Sequence, residues 1–183
     1  MNIDKLLRKY NNSYVVKPNS DGSSIGMSII NDNPSKNVLQ QSIDKCNEVS
    51  NDIIIEEYII GRELTVSLID GIALPIVEIF PKGNFYDYDS KYKDKGSSYQ
   101  VPAMINDNIS RKLAEDSIKL YDKIGCRHYA RIDYLLDGDK YYLLEINTLP
   151  GLTSTSLLPK SAAKTGLDYS TLIDKIIKIA LKK

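Results

Sequence analysis

Two stretches near the end of the chain, ARIDYLL (130–136) and KYYLLEIN (140–147), constrain the fold more than any other feature. Both are dominated by β-branched, aliphatic and aromatic side chains, as buried strands are, and Asp137, Gly138 and Asp139 between them suit a tight reversal. They predict an antiparallel hairpin inside a sheet. Its polar members are regularly placed: Arg131 and Asp133 are two apart, and so are Glu145 and Asn147. A period of two puts each pair on one face of its strand. With a three-residue connection, Leu136 pairs with Lys140, Asp133 lies opposite Leu143, and Arg131 lies opposite Glu145. All four polar side chains then share a face.

Two carboxylates and an amide oxygen, with no His or Cys among them, form a hard oxygen set of the kind that suits Mg²⁺. The plainer alternative is a solvated face with an Arg–carboxylate pair, but four such groups in otherwise apolar strands favour the metal. Mg²⁺ keeps waters and shares its ligands with phosphates, so the set implies a nucleotide. A glycosidase acid–base pair is the other use of two carboxylates, but the aromatic cleft expected for sugar is not evident. His128, without Ser or Asp partners at recognisable spacing, is expected to be a hydrogen-bonded structural residue.

With 24 basic and 24 acidic side chains the 183-residue chain has no net charge, so no long-range field draws it to nucleic acid or to an anionic membrane. No apolar run is long enough to span a bilayer, and MNIDKLLRKYNNS lacks the apolar core of a signal peptide. A cytoplasmic protein is expected, with no nucleic-acid or membrane partner. Cys46 and Cys126 form no CxxC and have no His at ligand spacing, which predicts two buried thiols.

Along the chain, YVVKP (14–18) and SII (28–30) read as paired strands around the loop NSDGSSIG. Asn33 and Pro34 open a helix as cap and first residue, with Val38, Leu39, Ile43, Cys46 and Val49 inward. Strands follow at 53–59, 63–69 and 72–80. From Pro81 to Pro102 regular patterning vanishes, as in a functional lid. Ser110 caps a helix ended by Gly125, and a last helix from about Asp168 to Lys183 turns Leu172, Ile173, Ile176, Ile177 and Ala180 inward. The pattern is α+β with mostly antiparallel sheets.

Phosphate would find backbone N–H groups in the Gly/Ser loop after Lys17, although no GK[ST] makes it a Walker A loop and a plain turn is the alternative. Lys91 and Tyr92 lie in the lid, whose closure would exclude water from a reactive phosphorylated species. Pro150-Gly-Leu-Thr-Ser-Thr-Ser156 runs toward a helix start near Pro159 and offers N–H groups and hydroxyls to a carboxylate or an oxyanion. Its plainer alternative is a capped turn.

In order, VVKPNSDGSSIGMS, IIIEEYIIGRELTVSL, FYDYDSKY, RIDYLL and LLEINTLPGLTSTSLLP resemble the D-alanine–D-alanine ligase family of the ATP-grasp superfamily, from about Tyr14 to the C-terminus. The resemblance implies two α+β subdomains gripping ATP, here 1–62 with the phosphate loop and 63–183 with the lid and the metal site. Lys17, Ser23 and Ser24 would contact phosphates, Ser23 being counted with the catalytic residues as well. Adenine would lie against Val15, Met27, Phe85 and Leu144 and read the Glu56, Glu57 and Ile59 connection, with Glu63 on the ribose. Asp133, Glu145 and Asn147 would hold two Mg²⁺ ions, or Mn²⁺ in their place.

The implied reaction phosphorylates the carboxylate of one D-alanine, and the amine of a second then attacks the acyl phosphate, for peptidoglycan synthesis. Lys91 would neutralise the transferred phosphoryl group, Arg131 and the Gly151 N–H the tetrahedral oxyanion, and Ser156 with Leu157 would hold the second carboxylate. Tyr92 argues for a second D-alanine over D-lactate. Family members carry an N-terminal domain ahead of the Lys17 strand; only 13 residues precede Tyr14 here. That domain is therefore expected to be missing and to act as a partner in cis or in trans, and a homodimer is a further expected partner. A non-catalytic nucleotide-binding remnant and a different carboxylate–amine ligase stand as alternatives.

Overall fold

The computed structural model describes residues 13–20, 24–31, 34–81 and 97–182. They belong to two compact units, one drawn from Met1–Ile59 with Pro81–Gly96 and the other from Ile60–Phe80 with Ser97–Lys183. The division falls after Ile59, where the sequence suggested Arg62.

In the first unit β1 (Tyr14–Pro18) is the centre of an antiparallel sheet, with β2 (Ser28–Ile30) on one side and β3 (Ile53–Glu57) on the other. One face packs on α1 (Lys36–Asn47): Val16 and Ile30 meet Leu39, Ile43 and Cys46. Ser35 caps this helix by accepting from the Val38 N–H at 3.3 Å. Pro34 thus precedes the cap instead of following it, and Asn33 lies outside the described residues. Val38 and Val49 are exposed. The opposite sheet face carries Val15 and Lys17 on β1, opposite Glu56 and Ile54 on β3.

The second unit is built on β4 (Arg62–Ile69), β6 (Val77–Phe80), β7 (Ser98–Gln100), β8 (Tyr129–Asp137) and β9 (Lys140–Asn147), all antiparallel in the order β7-β6-β4-β8-β9. The short β5 (Ile72–Ala73) pairs with β4. The expected single strand over 72–80 is split at Leu74-Pro75-Ile76 because proline has no N–H to give a ladder. β7 emerges from the stretch that lacked an aliphatic pattern; tyrosine and glutamine serve an edge strand.

Helix α2 (Asp107–Ile124) covers one face, joining Leu113 and Tyr121 to Leu64, Val66, Leu68, Ala130, Ile132, Tyr134 and Leu136. Its cap is Asn106, whose Oδ1 accepts from the Asn108 N–H at 2.9 Å; Ser110 is already inside the helix. Gly125, at φ +73°, ends it as expected. On the other face α3 (Leu157–Ala163) and α4 (Tyr169–Leu181) bury Leu158, Ala162, Leu172, Ile176 and Ile179 against Ile69 and Leu74. The 172/176/179 spacing selects Ile179 for the core and leaves Ile177 and Ala180 exposed. Cys46 is buried, but Cys126 is only half-buried; both are free thiols. No helix among the described residues is long and apolar enough to cross a membrane.

Two features of β4 escaped the sequence reading. A Cβ at Gly61 would lie 2.8 Å from the Leu136 carbonyl oxygen, so only glycine lets the chain enter the sheet beside β8. Next to it, Arg62 makes a two-pronged pair with Glu78, Nε to Oε1 and Nη2 to Oε2 both at 2.6 Å, and donates to the Met104 carbonyl at 2.8 Å. The Glu78 side chain is only 4% exposed. Arg62→Ala strands that carboxylate and should cost about 2–3 kcal/mol, whereas the pair Arg62→Met with Glu78→Leu should lose less. Urea unfolding of the three proteins, with midpoints differing by roughly 1 M, checks this.

Candidate functional site

The β8–β9 hairpin is tighter than expected and then irregular. Asp137 pairs with Lys140, leaving Gly138 and Asp139 as a two-residue turn, and the pairing continues regularly to Tyr134 with Leu143. There the register shifts: Asp133 pairs with Glu145, Ile132 with Ile146 and Arg131 with Asn147. Leu144 is the extra residue of a β-bulge. Asp133 therefore lies opposite Glu145 and not Leu143, and Arg131 opposite Asn147 and not Glu145. The four polar residues still share a face, but by turn plus bulge. In an unbroken ladder from this turn, Glu145 would pair with Ile132 and face α2.

On that face Asp133 is the hub. Its Oδ1 accepts from Arg131 Nε at 2.9 Å and from Thr65 Oγ1 at 2.5 Å; its Oδ2 accepts from Arg131 Nη2 at 2.8 Å and from Asn147 Nδ2 at 3.1 Å. Asn147 Nδ2 also donates to Glu145 Oε1 at 3.2 Å. Thr65 is buried on β4 directly opposite Asp133. It was missed by sequence reasoning, although Glu63, Thr65 and Ser67 alternate through β4 and mark the same face. Burial pushes the Asp133 carboxyl up, but Arg131's hydrogen bonds and charge, with the Thr65 hydroxyl, outweigh it and hold the group below the usual carboxylate range.

The donor set fits a hard divalent cation. Asp133, Glu145 and Asn147 converge within hydrogen-bond distance, with the Asn147 amide nitrogen donating to both carboxylates. Arg131 and Thr65 occupy three acceptor positions of Asp133 and the Asn147 amide a fourth, on Oδ2. Among the described residues no group of three or more His, Cys, Asp or Glu could hold a metal, so a cation here needs the amide and oxygens from elsewhere.

Glu63 lies on the same face, opposite Leu135, and Leu144 is partly exposed at the bulge. After β9, Ser156 Oγ accepts from the Thr153 N–H at 3.1 Å and lies 2.8 Å from Thr153 Oγ1. Ser156 is the N-cap residue of α3 without a side-chain cap bond. Pro159, the third residue of that helix, has no N–H to offer it. A Cβ at Gly151 would come 3.1 Å from the Ser156 hydroxyl. Leu157 starts α3 and is buried.

In the first unit Lys17 Nζ is 2.6 Å from Glu56 Oε1, and Val15 pairs with Glu56. Glu57 is on the α1-facing parity with Tyr14, and Ile59 follows the strand. Ser24 (φ +59°) and Gly26 (φ +72°) turn the chain into Met27. Ser23, Phe85, Lys91 and Tyr92 lie outside the described residues. His128 sits at φ +68° and its carbonyl accepts from the Asp70 N–H at 2.7 Å.

Residues 3–178 match the family model described as D-ala D-ala ligase C-terminus. The chain belongs to that family. D-alanine–D-alanine ligase A of Bacillus cereus is 41% identical over 185 residues, covering 100% of this chain and 59% of the relative. The D-alanine–D-alanine ligase of Syntrophotalea carbinolica is 37% identical over 163 residues, covering 89% of this chain and 52% of the relative. A crystal structure of the Bacillus anthracis D-alanine–D-alanine ligase complexed with ATP superposes with a TM-score of 0.81 at 37% identity, over 100% of this chain and 57% of that one. VanG, a D-Ala:D-Ser ligase from Enterococcus faecalis, gives 0.81 at 26% identity, over 98% and 52%. The α+β fold is thus the ATP-grasp fold of D-alanine–D-alanine ligases, and the chain spans little more than half the length of these relatives.

A folded-state pKa below the unfolded value makes Asp133 a stabilising group at neutral pH. That contribution is complete above the unfolded value of about 3.9 and disappears as pH falls through the folded one. In metal-free buffer, the loss of stability between pH 7 and pH 3 should be smaller in Asp133→Asn than in the unsubstituted protein. Chemical denaturation at both pH values measures it.

Proposed function

We propose that this chain is the ATP- and Mg²⁺-binding catalytic part of a cytoplasmic, ADP-forming D-alanine–D-alanine ligase. The carboxylate of one D-alanine takes the γ-phosphoryl group of ATP to give an acyl phosphate and ADP. The amine of a second D-alanine attacks that carbonyl, and the tetrahedral centre expels phosphate to leave the dipeptide used in peptidoglycan. The observation that carries the reading is the Arg131–Asp133–Glu145–Asn147 cluster assembled by the bulge, in a chain of this family.

Asp133, Glu145 and Asn147 would hold Mg²⁺, which when bound neutralises phosphate charge and polarises the transferring group. Arg131 is held by Asp133 through Nε and Nη2, and its guanidinium charge would stabilise a developing oxyanion with little reorganisation. The Gly151 N–H is proposed as its second donor, and Ser156 with Leu157 as the site of the second carboxylate. Lys17, Ser23 and Ser24 would serve the phosphates and Lys91 the transferred group. Val15, Met27, Phe85 and Leu144 would hold the adenine, with the Glu56, Glu57 and Ile59 connection reading its edge and Glu63 on the ribose. Tyr92 would favour D-alanine as the attacking amine. The rest of the first amino-acid site would come from a segment of the kind that the longer relatives carry, in cis or in trans.

Calorimetry should find Mg-ATP binding that Glu145→Ala weakens at least tenfold. With the N-terminal segment of a longer relative supplied, phosphate release should require D-alanine, ignore L-alanine, and yield the dipeptide, with D-serine and D-lactate as competing second substrates. From the chain by itself, ATP binding without D-alanine-dependent release is the result expected of an ATP-grasp half needing its partner. Absence of ATP binding would favour the non-catalytic alternative.

A further inference from the structure

The 151–156 loop carries Gly151 and Ser156, yet its own bonds only fold it upon itself: the Thr153 N–H reaches Ser156 Oγ and the Ser156 N–H reaches the Thr153 carbonyl at 2.9 Å. Two side chains outside it tie it to the second unit, and neither has a part in the chemistry above. Tyr169, first residue of α4, donates its hydroxyl to the Leu152 carbonyl at 2.6 Å. Lys160, in α3, donates its ammonium to the Thr155 carbonyl and lies 4.9 Å from the centre of the Tyr99 ring on β7.

We propose that Tyr169 and Lys160 are positioning residues that pin the two ends of this loop, so that Gly151 and Ser156 meet the amino-acid substrate already ordered. The inference deepens the ligase reading and rests on it. The two carbonyls held are those of Leu152, next to Gly151, and Thr155, next to Ser156. The Thr155 carbonyl lies in the peptide plane that carries the Ser156 N–H, and the Leu152 carbonyl lies two planes after the one that carries the Gly151 N–H, so each anchor holds the backbone close to one proposed substrate contact. Their origins differ: one bond comes from a helix that packs on Ile69 and Leu74, the other from a cation resting on an edge-strand ring. A loop pinned at both ends by separate elements has little freedom left to lose on binding, which is how preorganisation raises affinity. Burial pulls the Lys160 ammonium down from the ordinary lysine range.

The test uses Tyr169→Phe and Lys160→Met in the intact protein, with two readouts. Amide hydrogen exchange at Thr153 and Ser156 should quicken about tenfold with the melting temperature little changed. Steady-state assays should show KM for the second D-alanine rising about five- to tenfold while KM for ATP stays fixed, a split that general loosening would not produce. Unchanged exchange in both variants overturns the anchoring, and so does an equal rise in both KM values. If the unsubstituted protein shows no D-alanine-dependent turnover even with the N-terminal segment of a longer relative supplied, the ligase reading fails, and the exchange data still decide whether the two side chains pin the loop.

Discussion

One unpaired residue, Leu144, governs the polar cluster of the second unit. Side chains alternate strictly along a strand, so the two-residue turn at Gly138 and Asp139 would send Glu145 toward α2 if the ladder ran unbroken. The bulge reverses the parity after Leu143 and restores it to the face of Asp133. It does so without disturbing the apolar side, because Ile146 then pairs with Ile132 and joins the core under α2. A bulge also raises local twist, which suits a strand that ends three residues later, at Asn147.

Around that geometry the charges are arranged so that burial is tolerable. Asp133 accepts four hydrogen bonds, two of them from one guanidinium, and this outweighs the desolvation of its carboxylate. Arg131 is fixed by the same contacts. Thr65 and Asn147 supply the other two donors from the strands on either side, so the cluster draws on three strands and needs the whole β4-β8-β9 ladder in register. At the other end of β4 the pair Arg62 and Glu78 binds the next strand, and Gly61 lets the chain approach β8 closely enough for β4 to begin there.

The coverage of the sheet explains why a polar cluster can survive in it. Helix α2 closes one face along its length, while α3 and α4 cover the opposite face at the Ile69 end. Thr65 and Asp133 sit further along the same face. The apolar cover and the polar cluster thus share a face, and the 151–156 loop runs from one to the other, held by Tyr169 and Lys160.

Residue types and their periodicity were enough to read the hairpin, the alternation of Arg131 with Asp133 and of Glu145 with Asn147, and the α+β class, because a period of two or of 3.6 is a local property. The helix stop at Gly125 was legible for the same reason, since it depends on one left-handed residue. Caps were read less well. Asn106 and Ser35 took the places expected of Ser110 and Asn33, because several polar residues can start a helix and the choice depends on where the preceding chain enters. What only the tertiary structure decided is the register: the turn length, the bulge at Leu144, and hence which residue each carboxylate faces. Partners distant in sequence were equally hidden, Thr65 with Asp133, Arg62 with Glu78, Tyr169 with Leu152. Side chains 16 to 68 residues apart share no local pattern, and only the folded sheet sets their distance.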